Sequence, residues 1–98
     1  MPGNRALIKA ILSLESADEA RRFLRDLLTE GEIVEFSKRF KTAEMLAENI
    51  PYSEIERQTG LSSTTVARVS KWLKGSQGGY RKIISRLHHH SIPVARGD

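Results

Sequence analysis

Apolar and polar positions in this chain recur with a helical period, and no window alternates with the two-residue period of a half-buried strand. Leu7, Ile8, Ile11 and Leu12 mark a short first helix. Ser16-Ala17-Asp18-Glu19 has capping-box spacing, in which the Ser16 hydroxyl accepts from the Glu19 amide and the Glu19 side chain reaches back. It opens a second helix with Ala20, Phe23, Leu24, Leu27 and Leu28 inward and Arg21, Arg22, Arg25 and Asp26 mostly outward. Thr29-Glu30-Gly31-Glu32 repeats the cap spacing and starts a longer third helix, with Ile33, Phe36, Phe40, Ala43, Leu46 and Ala47 on its buried side. Pro51 suits the first turn of a fourth helix, where its missing N–H costs nothing. Tyr80, Ile83, Ile84 and Leu87 define a sixth helix, and the tail from His88 to Asp98 is expected to fray into a flexible end.

Spanning the fourth and fifth helices, residues 51–75 have the pattern of a helix-turn-helix. Ile55 faces inward from its first helix, Gly60 sits at a bend that calls for positive φ, and Leu61 covers the corner. Ser62 reads as the N-cap of the next helix, and Gly75, Gly78 and Gly79 end that helix. Val66, Val69 and Leu73 form its apolar stripe. The opposite face then carries Ser63, Thr64, Ala67, Arg68 and Lys71, with Lys74 further along. Small hydroxyls and long cations suit a major groove of base edges walled by phosphates. Tyr52 and Ser53, at the start of the preceding helix, are candidate phosphate contacts, as is Ser62.

A helical hairpin with a glycine turn is common, and charge is what moves this one toward DNA. Residues 1–56 hold 8 Lys/Arg against 11 Asp/Glu, whereas residues 57–98 hold 8 Lys/Arg against Asp98 alone. A solvated helix face usually mixes signs, so this basic run has the footprint of a polyanion ligand. Composition otherwise describes one ordinary globular domain spanning residues 1–98, with 39% apolar and 29% charged residues. The absence of cysteine fits a reducing cytoplasm, where the protein would associate with the nucleoid when bound to DNA. No stretch is long and apolar enough to span a membrane.

The wide apolar stripes raise a packing problem, because a chain this short buries a limited fraction of its surface alone. Sharing Phe23, Leu27, Phe40, Trp72, Ile83 and Ile84 in the core of a homodimer would solve it, the alternative being a compact monomer. Other constellations carry less. His88-His89-His90 are consecutive, so their side chains fan around a helix and cannot share one ion; no metal site and no cofactor are expected. Glu30, Glu32, Glu35, Glu44 and Glu48 read as a solvated acidic face, and no residue is nominated for catalysis.

Taken in order, ILSLESADEARRFLRDLLTEGEI, FSKRFKTAEMLAENIPYSEIERQTGLSSTTVARVSKWLKG and QGGY resemble the Trp-repressor-related proteins of the YerC/YecD type, over roughly residues 5–87. The resemblance implies an all-α, six-helix fold in which two chains intertwine, and a DNA-binding transcriptional regulator. Tryptophan-responsive repressors of that superfamily bind free tryptophan between the core and the recognition helix. Thr65 and Arg68 match two residues of that pocket by position, and its second arginine maps to Lys38 or Arg39. Val69 and Trp72 fall where those repressors carry glycine and serine, and are expected to block the pocket. The reading is therefore a homodimeric, sequence-specific regulator, a repressor by resemblance, that binds double-stranded DNA and does not respond to tryptophan. The alternative is a helix-turn-helix interaction module that binds protein or structured RNA.

Overall fold

The computed structural model describes residues 2–96, with side chains from Gly3 to His88. Among the described residues all regular structure is helical. A short 3-10 turn, Pro2–Asn4, leads into α1 (Arg5–Leu12), α2 (Ala17–Leu27), α3 (Glu30–Ala47), α4 (Tyr52–Thr59), α5 (Ser63–Leu73) and α6 (Gly79–Arg96). None is long and apolar enough to cross a membrane. Helical backbone continues past His88, where the sequence places the start of a flexible tail, and the side chains of His89 and His90 lie outside the described residues.

The chain divides into two compact units, Met1–Glu35 and Phe36–Asp98. In the first, the two expected caps form. Ser16 Oγ accepts from the Glu19 amide at 3.1 Å, and Glu19 Oε1 reaches back to the Glu15 amide at 2.9 Å. Thr29 and Glu32 close the reciprocal box, with amide-to-side-chain distances of 3.1 and 2.9 Å. Asp18 pairs with Arg21 and Arg22, so the polar face of α2 is laced internally. The apolar faces have no such closure. Neither α1 nor α2 contains a buried residue, Leu12 is 78% exposed, and Leu24 and Leu27 lie open rather than inward.

The second unit holds the core, in two adjoining clusters. Ala43, Val69, Leu73 and Ile84 form one, with Phe40 and Tyr80 against it; Met45, Ile55, Leu61 and Val66 form the other. Leu46 packs against both. The buried residues of α3 are thus Thr42, Ala43 and Met45; of the face expected from the sequence Ala43 is buried, Ile33, Phe40 and Leu46 are half-buried, and Phe36 and Ala47 are exposed. Of the six side chains assigned to a shared core, Ile84 is buried, Phe23 and Phe40 are half-buried, and Leu27, Trp72 and Ile83 are exposed in the single chain.

The turn into the helix-turn-helix is local chemistry. Asn49 takes the left-handed conformation (φ 63°), and the Asn49 and Ile50 amides donate to the carbonyls of Leu46 and Met45 at 3.0 Å each. That is a Schellman ending, with Ile50 folded back onto the Met45 cluster. Pro51 is then the N-cap of α4 rather than a residue of its first turn, its carbonyl accepting from the Glu54 and Ile55 amides. Ile55→Ala, which empties a fully buried site, is expected to lower unfolding free energy by about 2–5 kcal/mol. Urea denaturation with an unchanged slope would register it as a lower midpoint.

Candidate nucleic-acid interface

Ile55 and Thr59 are the buried residues of α4, one turn apart. Thr59 Oγ1 donates to the Ile55 carbonyl at 2.8 Å and accepts from the Leu61 amide at 3.2 Å. It therefore spans Gly60, whose φ of 77° lets its amide donate back to the Glu56 carbonyl at 2.8 Å. Ser62 then caps α5, its hydroxyl accepting from the Thr65 amide at 3.2 Å and donating to Thr65 Oγ1 at 3.1 Å. These bonds fix the direction in which α5 leaves the turn, and they commit the Ser62 hydroxyl to the cap.

From that start the helix divides cleanly. Val66, Val69, Ser70 and Leu73 are buried, while Ser63, Thr64, Ala67, Arg68 and Lys71 are exposed. Their spacing puts the five exposed residues on one side of the helix. Lys74, the C-cap of α5, is exposed, as are Tyr52 and Ser53 at the start of α4.

Charge pairing sharpens this face. Arg57 Nε donates to Glu54 Oε1 at 3.1 Å, its Nη2 binds Glu54 Oε2, and Gln58 Nε2 donates to the same oxygen at 2.6 Å. Arg57, the first cation of the basic run, is thereby held within α4. Among the described residues no ion pair or side-chain hydrogen bond engages Arg68, Lys71 or Lys74. Helix α5 contains no acid, so its outer face carries positive charge that no described residue neutralises.

Val69 and Trp72 differ in setting. Val69 is fully buried in the cluster with Ala43, Leu73 and Ile84. Trp72 is 46% exposed and lines an open, mainly apolar groove of about 710 Å³ with Phe40, Lys71, Tyr80 and Ile83. Thr65 is half-buried, as are Lys38 and Arg39, with the Arg39 guanidinium 5.5 Å from the Phe36 ring centre. Two contributors escape a reading of the sequence. Thr59 could be found only as a hydroxyl beside the turn glycine. Arg81, whose guanidinium reaches carbonyls at the end of α5, leaves no local signal at all. Among the described residues no group of His, Asp or Glu could hold a metal ion.

Six helices, a helix-turn-helix buried on one side and a second helix with a free basic face define an all-α protein of the helix-turn-helix class. The chain belongs to the Trp repressor family, whose model matches residues 4–88. It is 37% identical over 81 residues to YerC of Bacillus subtilis (strain 168), spanning 83% of this chain and 78% of that protein. Two solved structures are similar. A TrpR-like protein from Eubacterium eligens ATCC 27750 has a TM-score of 0.82 and 39% identity, covering 90% of this chain and 91% of that one. A candidate Trp repressor from Staphylococcus aureus has a TM-score of 0.83 and 33% identity, covering 90% and 88%.

The Arg57 and Gln58 bonds hold the Glu54 carboxyl below the usual carboxylate range, Arg57 contributing most. A depressed folded-state value means that this support for α4 is present above the ordinary carboxylate range and is lost as pH falls through the lowered value. Carboxyl NMR is expected to find Glu54 titrating low, and Arg57→Gln to move its midpoint upward. An unmoved midpoint would contradict the pairing.

Proposed function

We propose that the protein is a sequence-specific regulator that reads double-stranded DNA with α5. The observation that carries this is the outer face of α5: Ser63, Thr64, Ala67, Arg68 and Lys71 are exposed together, and its cations have no partner among the described residues. Arg68 and Lys71 reach for base edges, Ser63, Thr64 and Ala67 allow close approach, and Tyr52, Ser53, Ser62 and Lys74 contact the phosphates alongside. With its hydroxyl in the cap, Ser62 contributes through its backbone. The family supports a regulator rather than an enzyme.

The same reading makes the working form a homodimer. Among the described residues Leu7, Ile8, Ile11, Leu12, Leu24 and Leu27 are all at least 39% exposed, on helices that bury nothing. Apolar faces of that extent call for a partner surface, and a second copy supplies an identical one with two-fold symmetry. Phe36, Ile83 and Trp72 add exposed apolar surface on the second unit. Two copies would present two α5 helices to two half-sites about one helical turn (~34 Å) apart. Tryptophan is not the effector on this reading. Val69 occupies core volume at the position where the tryptophan-responsive repressors, by resemblance, have glycine, whereas the Trp72 indole lies half-exposed on the wall of the open groove and fills none of that core.

Selection of bound duplexes from a random pool tests the proposal. The expected winners are near-palindromes with that spacing, the same with and without millimolar tryptophan. Arg68→Ala should weaken binding to the winning duplex by about 1–3 kcal/mol and relax specificity at one base pair per half-site. A pool that yields no preferred duplex, or an Arg68→Ala variant with wild-type affinity, would overturn it and favour a protein- or RNA-binding module.

A further inference from the structure

We infer that Arg81 is a positioning residue for DNA reading: from the first turn of α6 it holds the far end of α5 in the pose the groove requires. The inference rests on the reading of α5 as the helix that enters the groove. One guanidinium nitrogen, Nη1, donates to the Leu73 carbonyl at 2.7 Å and to the Gly75 carbonyl at 2.8 Å. Leu73 is the last residue of α5 and Gly75 lies in the turn after it, so a single planar group ties helix end and turn together.

Three features mark this as a built contact. The carbonyls at a helix C-terminus carry partial negative charge and lack helical donors, so a cation there answers both needs. Arg81 itself occupies the first turn of α6, where a cation opposes the dipole of its own helix and no acid offsets it. Its favourable partners are therefore the carbonyls of the preceding helix and turn, not its own helix. Gly78 completes the socket: it has φ 70°, and a Cβ there would come within 3.1 Å of Arg81 Nη2.

The tie sits where it governs the proposed reading face. Leu73 lies between Lys71 and Lys74, the two cations at this end of α5, and its side chain is buried with Ile84, three residues after Arg81. Thus α6 grips the end of α5 twice, through the apolar Leu73–Ile84 packing and through the Arg81 fork. The other end is fixed by the Ser62 cap and the Thr59 bridge.

Arg81→Gln in the full-length protein tests it, read by amide exchange without DNA and by binding at several salt concentrations. Exchange at Trp72–Gln77 should accelerate by about tenfold or more while Ile55 and Val66 keep their protection. Affinity for the duplex that the wild type selects should fall by about tenfold, affinity for an unrelated duplex of equal length by less than about threefold, and the salt slope should stay unchanged. Equal losses on both duplexes with a slope lower by about one would make Arg81 a phosphate contact and overturn the proposal. Unchanged exchange at Trp72–Gln77, or lost protection at Ile55 and Val66 as well, would also overturn it. If exchange accelerates locally but the wild type prefers no duplex, the tie stands and the DNA reading falls.

Discussion

Helix α5 is pinned along one stripe, and the rest of the molecule takes its meaning from that constraint. Val66 is buried with Ile55, Leu61 and Met45, while Val69 and Leu73 are buried with Ala43 and Ile84. A helix held by two clusters at successive turns cannot roll without exposing one set of side chains to water, at a cost of about 1.5–3 kcal/mol for each large one. Its outer face is therefore fixed in direction. The cations on that face, without a carboxylate partner among the described residues, point where the packing sends them.

The local chemistry was legible in the sequence because it is written within four residues. The Ser16, Thr29 and Ser62 caps and the left-handed Gly60 form at their expected positions. What escaped depends on residues far apart in the chain or on helix phase. In α3 the expected apolar face meets the core through Phe40, Ala43 and Leu46, yet Thr42 and Met45 are buried as well while Phe36 and Ala47 are exposed, so the buried side is wider and turned from the one expected. That face serves α4, α5 and α6, and nothing in the spacing of α3 alone says which side those helices occupy. Arg81 is the same case in polar form, since its carbonyl partners lie six and eight residues back across a turn.

Charge was legible in sum but not in detail. The basic run beyond Glu56 includes Arg57, which Glu54 and Gln58 hold within α4, and Arg81, which is turned toward carbonyls. Within residues 51–75, setting Arg57 aside leaves Arg68, Lys71 and Lys74, a smaller and better directed set. The apolar stripes of α1 and α2 were also legible as stripes. Only the structure adds that their own chain buries none of their residues, so the apolar excess lies in particular, nameable side chains.

On the proposed reading the outer face of α5 is the surface that meets DNA. Backbone amide NMR during titration with a duplex selected by the protein tests it most directly, because it maps the contact residue by residue. The largest shifts are expected at Ser63, Thr64, Ala67, Arg68 and Lys71, with Tyr52 and Ser53 following. Shifts concentrated on Arg21, Arg22 and Arg25 of α2, with α5 unmoved, would contradict it.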